Sequence, residues 1–196
     1  MPKTKGQCNE IKKATKQKII DKSILYFSRN GFSGTRISDL ADYIGIGQGT
    51  IYNYFESKEA LYSEINKIIN SQDIRPMKQL VKLPLHADQK IRMLSEYVIK
   101  QLKESQEFAA VLTLSTQQMY EQEDNMSSKA TYQCEAYELL EKIVVQGQRE
   151  GSVVDGDAMK LVDYYWGVAY LYALKKMFTN DFILIDADDL SRVLLK

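Results

Sequence analysis

Apolar residues return every three or four positions along most of this 196-residue chain, and no run alternates apolar and polar residues with a two-residue period. A spacing of three and four is that of a helix with one buried face, so the chain is expected to be all-α. Three prolines and ten glycines are too few for the many turns of a large sheet. The length suits one large domain or two small ones around a sizeable core. No internal repeat of about 20 to 50 residues marks a solenoid.

The same inventory removes several classes of function. Two cysteines, Cys8 and Cys134, cannot form a disulfide framework and fit a reducing compartment. Cys134 falls in a helical run with Tyr137 and Leu140 and reads as core. His86 is the one histidine, so no His/Cys metal site is expected. It stands near Pro84 and reads as a loop residue. No Ser/His/Asp set or carboxylate pair stands out, so neither catalytic residues nor a cofactor are expected. The run Glu121, Glu123, Asp124 reads as a solvated corner. No stretch of about 18 apolar residues could span a membrane, and no apolar segment follows the basic N-terminus as in a signal peptide. A cytoplasmic protein without a membrane partner is expected.

Charge is balanced overall, 26 Lys and Arg against 26 Asp and Glu, but unevenly placed. Residues 1–36 carry nine basic side chains and two acids, a net +7, which leaves −7 on the rest. A basic end on an acidic body points to a polyanion partner at that end. Such charge supplies affinity without a sequence code.

Residues 1–13 are polar and read as a flexible basic tail. From Thr15, the residues Ile19, Ile20, Ser23, Ile24 and Phe27 share a helix face, and Asn30-Gly31 ends that helix. Ser33-Gly34-Thr35 reads as a turn with a helix-starting hydroxyl. A short helix over 36–43 turns Ile37, Leu40, Ala41 and Ile44 inward before Gly45. A second, over 48–55, turns Ile51 and Phe55 inward, and Ser57 caps a longer helix to Asp73. Pro76 and Pro84 bracket a linker-like stretch. Further helices follow from Ile91 to Leu102, Phe108 to Tyr120, Ser127 to Glu150, Ala158 to Thr179 and Ala187 to Leu195. The domains expected are 14–56 and 57–196.

Two short helices joined through Gly45 are the parts of a helix-turn-helix. Ala41 is small where the second helix must cross, and Gly45, four residues on, permits the tight turn. Ile46 and Ile51 anchor the second helix while Gln48, Thr50, Asn53 and Tyr54 stay available. Amide and hydroxyl side chains on such a helix can read base edges in the major groove. The stretch Gly45-Ile-Gly-Gln-Gly-Thr50 lacks the Gly-Lys-Ser/Thr ending and the preceding strand of a nucleotide-binding loop.

Residues 15–65 resemble the DNA-binding domain of the TetR (tetracycline-repressor-like) family of bacterial transcriptional regulators. The resemblance rests on Phe27, Gly31, Phe32, Thr35, Ile37, Leu40, Ala41, Ile44, Gly45, Ile46, Gly49, Thr50, Ile51, Tyr52, Tyr54, Phe55, Lys58, Glu59 and Leu61. Gly47 stands where that family usually has Ser, which removes the N-cap of the reading helix, and Ile44 replaces a usual Ala. The resemblance implies about nine helices. Three N-terminal helices bind DNA, a fourth connects, and a C-terminal helical domain binds a small ligand and dimerises. The resemblance thus assigns 14–56 to DNA binding and 57–196 to ligand binding and dimerisation. It implies that Gln48, Thr50 and Asn53 face bases. Tyr52, Tyr54 and Lys58 would meet the DNA backbone, and Arg36 and Ser38 would approach phosphate.

Tyr164, Tyr165, Trp166, Tyr170, Tyr172 and Phe178 fall on one helix, a spacing that core packing alone can explain. Because the resemblance implies a ligand pocket, Tyr97, Phe108, Leu112, Met119, Tyr137 and Trp166 are the candidate lining residues. The function implied is a homodimeric repressor that binds a palindromic DNA operator and is released by a small-molecule inducer of unknown identity. An activator or ligand-independent regulator of the same fold is the alternative, or an all-α small-molecule-binding or scaffolding protein. Dimerisation is expected through the helices after Ala158 and after Ala187, with Gly167, Ala169 and Ala173 allowing close approach and Leu190, Val193 and Leu194 forming an apolar strip.

Overall fold

The structure is a computed structural model that describes residues 5–70, 74–121 and 135–196. Ten helices run through these residues, and the β pairing among them is one isolated antiparallel bridge, Val153 to Leu195. The chain is all-α. It divides into two compact units, one within residues 1–71 and one within 72–196. The division falls beyond residue 56, the end expected for the DNA-binding domain, so the helix that Ser57 starts counts with the first unit.

The first unit holds α1 (Lys5–Asn30), α2 (Ile37–Ile44), α3 (Gln48–Tyr52) and α4 (Lys58–Asn70). α1 starts ten residues before Thr15, so residues 5–13 are helical where a flexible tail was expected. Apart from Gly6 near its first turn, nothing in that stretch breaks a helix, and Lys, Gln and Glu extend one readily. Its residues Ile19, Ile20, Ile24 and Phe27 are buried, as are Leu40, Ile51, Leu61 and Ile65 of the helices that follow. Tyr62 meets Phe27 edge-on at 5.4 Å and Phe32 at 4.4 Å. The Thr35 hydroxyl was expected to start α2, but it donates back to the Gly31 carbonyl at 2.7 Å. Thr35 is buried, and that carbonyl was the acceptor within reach. α2 starts at Arg36 with no side-chain cap.

The second unit holds α5 (Arg75–Lys82), α6 (Ala87–Glu104), α7 (Gln106–Glu121), α8 (Glu135–Glu150), α9 (Ala158–Phe178) and α10 (Ala187–Ser191). α5 occupies the stretch read as a linker. Pro76 lies in its first turn, where the missing N–H has no helical partner to lose. Of the helix expected over Ser127 to Glu150, α8 is the described part; Ser127 to Cys134 lie outside the described residues, as do Glu123, Asp124 and the side chains of Tyr120 and Glu121. His86 is the N-cap of α6. Its N–H donates to Gln89 Oε1 at 3.2 Å, while Glu150 of α8 accepts the Ala87 N–H at 2.8 Å.

Two inter-helix devices in this unit are polar. Lys90 is buried, and its Nζ donates to the Val81 carbonyl at 2.8 Å and Gln146 Oε1 at 2.9 Å. Lys176 of α9 donates to the Leu102 and Lys103 carbonyls at the end of α6, and burial pushes its ammonium below the usual lysine range. At the end of the chain, α10 stops at Ser191 rather than running to Leu195. Leu190 and Leu194 are buried within this unit, Arg92 of α6 pairs with Asp188 at 3.0 Å, and Val154 N–H donates to the Leu194 carbonyl at 2.9 Å. Two residues of the apolar strip expected at a dimer interface, Leu190 and Leu194, are therefore spent on the chain's own core, while Val193 is half-buried.

Candidate nucleic-acid interface

α2 and α3 form a helix-turn-helix whose corner is Gly45, in the left-handed conformation at φ 77°. Its N–H donates to the Ala41 and Asp42 carbonyls at 3.0 and 3.1 Å, and the Ile46 N–H also reaches Ala41 O at 3.0 Å. This pairs the orphan carbonyls at the end of α2 and aims the chain into α3. Ala41 and Ile51, each 1% exposed, close the crossing of the two helices.

α3 has five residues, shorter than the helix expected over 48–55. Its N-cap, Gly47, offers no side-chain hydrogen bond, and Gly49 in its first turn is a poor helix former. The turn nevertheless continues, with Tyr54 and Phe55 donating to the Ile51 carbonyl at 3.0 Å each. Phe55 is buried, Gln48, Gly49, Tyr52 and Asn53 are exposed, and Thr50 and Tyr54 are half-buried. The face carrying the candidate reading residues is thus open, and the opposite face is locked into the core.

A groove runs along each side of α3. One, of about 470 Å³, brings together Arg36, Ser38, Gln48, Tyr52 and Lys58 with the first turn of α4. The other, of about 570 Å³, is lined by Thr50, Asn53 and Tyr54 together with Lys12, Lys13 and Lys16 of α1. The eight residues expected at DNA therefore divide five to one groove and three to the other. Ser57 caps α4 by accepting the Ala60 N–H at 3.0 Å. The Glu59 carboxyl is held below the usual range, first by its own backbone N–H, then by the Ser57 hydroxyl, with Lys58 adding to the effect.

Lys58 is placed differently from a free cation. Its Nζ donates to the Phe32 carbonyl at 2.9 Å and the Thr35 carbonyl at 3.0 Å, and it lies 4.3 Å from the centre of the Phe32 ring. It ties the start of α4 to the α1–α2 turn. No spacing in the sequence marks those carbonyls as its partners. Lys12 and Lys13, expected in a flexible basic tail and outside the eight residues expected at DNA, stand on helical backbone beside Thr50, Asn53 and Tyr54.

The candidate ligand residues of the second unit fall into separate groups. Tyr97, 54% exposed, pairs edge-on with half-buried Phe108 at 6.4 Å. Tyr137 and Trp166, both buried, stack at 6.2 Å, and Tyr170 stacks on Trp166 at the same distance. Leu112 is buried on α7, and the Met119 side chain lies outside the described residues. The buried Trp166 Nε1 and Thr113 Oγ1 have no hydrogen-bond partner among the described residues. Asp163, one turn before Trp166, also has a buried oxygen without a partner, and burial and Asp157 raise its carboxyl above the usual range. Periodicity marks such residues as core and cannot show that a polar atom is left over.

A family model described as bacterial regulatory proteins of the tetR family matches residues 19–65. The HTH-type transcriptional regulator RutR of Escherichia coli (strain K12) is 25% identical over 174 residues, covering 87% of this chain and 79% of RutR. The uncharacterized HTH-type transcriptional regulator YerO of Bacillus subtilis (strain 168) is 29% identical over 126 residues, and the match spans 54% of this chain but only 44% of YerO. The biofilm operon icaADBC negative transcriptional regulator IcaR of Staphylococcus aureus (strain Newman) is 39% identical over 49 residues, a quarter of each chain (25% and 26%). Among solved structures, a TetR-family transcriptional regulator from Agrobacterium tumefaciens superposes with a TM-score of 0.69 at 15% identity, covering 93% of this chain and 98% of that one.

Proposed function

We propose that this chain, whose residues 19–65 match the tetR-family model and which is 25% identical to RutR over 87% of its length, is a TetR-family cytoplasmic repressor that binds a palindromic operator as a homodimer and leaves it when a small molecule binds the second unit. The observation that carries this reading is the open face of α3, with exposed Gln48 and Asn53 and half-buried Thr50, held by buried Ile51 and Phe55. Gln and Asn can each form bidentate hydrogen bonds with adenine. Tyr52, Arg36 and Ser38 stand at one groove beside α3, where they would meet phosphate. IcaR, a negative regulator, favours repression over activation. No helix among the described residues is long and apolar enough to cross a membrane.

One reading helix covers few base pairs, and a two-fold dimer doubles the number read. Its half-sites would lie about 34–36 Å apart or a multiple of that distance. In the second unit, Tyr137, Trp166 and Tyr170 form a largely buried aromatic stack, and Trp166 Nε1 and the Thr113 hydroxyl have no acceptor among the described residues. An inducer with an aromatic body and an acceptor atom fits that chemistry. It would release DNA only to the extent that it binds the two states of the dimer differently.

The experiment selects duplexes from a random pool by binding and then compares the parent with Gln48→Ala, Thr50→Ala and Asn53→Ala. Each variant deprived of a hydrogen bond to a base edge should bind about 1–3 kcal/mol more weakly and relax the preference at one position. Selection that yields no preferred duplex, or three variants that bind as the parent does, overturns the reading.

A further inference from the structure

We propose that the first three turns of α1 form a fixed phosphate-binding ridge, in which Lys12 and Lys13 hold the DNA strand on the side of α3 opposite Arg36. This rests on the DNA-binding reading above and adds a site to it. Positions 9, 12, 13 and 16 share one face of α1, and that face continues into Ile20, Ser23 and Phe27. Ile20, Ser23 and Phe27 are buried against the rest of the unit. The inward face of α1 therefore changes from apolar to cationic where the helix passes alongside α3.

The change has a geometric consequence. Lys12, Lys13 and Lys16 form one wall of the groove of about 570 Å³, and Thr50, Asn53 and Tyr54 of the α3 segment form the other. A helix lying in the major groove has a phosphate backbone along each side. Arg36, Ser38 and Tyr52 stand on one side, and the lysine wall faces the second backbone. Lys16 is already engaged, with its Nζ 3.1 Å from Glu64 Oε1 and 5.5 Å from the Phe55 ring centre, so it anchors α1 to α4 and the Phe55 side of the motif. Lys12 and Lys13 are exposed and make no ion pair among the described residues. They are the free cations of the wall.

A ridge of this kind depends on where the lysines stand on the helix, whereas a loose basic tail depends only on how many there are. The test uses the full chain, a duplex selected by the parent from a random pool, and binding measured across a salt series. K12A/K13A removes the charge. I11K/K12A/K13A/A14K keeps the charge but moves both lysines to the opposite face of α1, using four exposed positions. Circular dichroism and thermal melting establish that both variants are folded as the parent. Both should bind severalfold more weakly, and every lysine–phosphate pairing removed should lower the slope of log K against log salt by about 0.9. If the charge-moved variant binds as the parent does while K12A/K13A binds more weakly, the lysines act as diffuse charge and the ridge is overturned. Two variants indistinguishable from the parent overturn it as well. Failure of the DNA-binding reading looks different: the parent itself then selects no duplex, or binds with no response to Gln48→Ala and Asn53→Ala.

Discussion

At the scale of single residues, the interface joins groups that stabilise the fold to groups left open for a ligand, and two substitutions separate the roles. Gly49 has space around its Cα, with no atom within 4 Å of a Cβ placed there, and it lies in the first turn of a poorly capped five-residue helix. Gly49→Ala should stabilise the free chain by up to about 1 kcal/mol. The added methyl points into the space in front of α3, so the same variant should bind its selected duplex more weakly; thermal melting and a binding titration read the two effects. Lys58→Ala should act in a second way. It strips the Phe32 and Thr35 carbonyls of their donor, a loss of about 1–3 kcal/mol for partly buried groups. Hydrogen exchange over the α1–α2 turn should speed up in the absence of DNA. Unchanged exchange would mean that Lys58 serves DNA alone.

At the scale of elements, what the sequence made legible was whatever a local pattern decides. Gly45 as the corner, Ser57 as a cap, and the inward set Ile37, Leu40, Ala41 and Ile44 all follow from spacing and backbone preference, and each is found in place. What was illegible depends on a partner distant in sequence. Lys90 looks like a surface lysine until Val81 and Gln146 are brought beside it, and whether the Thr35 hydroxyl caps α2 or donates back to Gly31 is decided only by the fold. The joint between α6 and α8 is a case of this kind. Gly147 is buried where a Cβ would collide with the Val153 side chain and lie 2.9 Å from Ala87 Cβ. Gly147→Ala should cost about 1–3 kcal/mol through overpacking, read as a lower melting temperature of the second unit.

Acid should weaken the same joint. The Glu150 carboxyl is held below its ordinary 4.5 by the Ala87 N–H first, then by Gln146 and His86. A carboxyl depressed by folding contributes stability that is complete above its unfolded value and is lost as pH falls through the folded one. The melting temperature should therefore drop as pH is lowered below about 4.5, and Glu150→Gln should flatten that limb while lowering stability at neutral pH. A parallel acid limb in the variant would place the effect on other carboxylates.

At the scale of the whole molecule, most of the C-terminal strip that the sequence offered for dimerisation is consumed internally, with Leu190 and Leu194 fully buried and Val193 half-buried, and Ala169 and Ala173 are buried as well. α9 still presents a row to solvent. Tyr164, Leu171 and Phe178 follow one another at seven-residue intervals and are 58%, 49% and 56% exposed, with exposed Gly167 between the first two. A seven-residue repeat of large apolar groups is what a helix needs to pack against a neighbour along its length. Gly167, where nothing lies within 4 Å of a Cβ position, lets two such helices approach closely at one level. In the homodimer proposed above, this row would meet α9 of a second copy, because a two-fold axis sets each row against itself. Leu171 is the middle of the row and is 49% exposed, so Leu171→Glu should leave the fold intact while placing two like charges face to face across the axis. Sedimentation should show a dimeric parent and a monomeric variant with an unchanged circular-dichroism spectrum. Because a monomer reads one half-site, the variant should also lose most of its affinity for a selected palindromic duplex while keeping its weaker binding to random DNA. A variant that stays dimeric would move the interface off this face of α9.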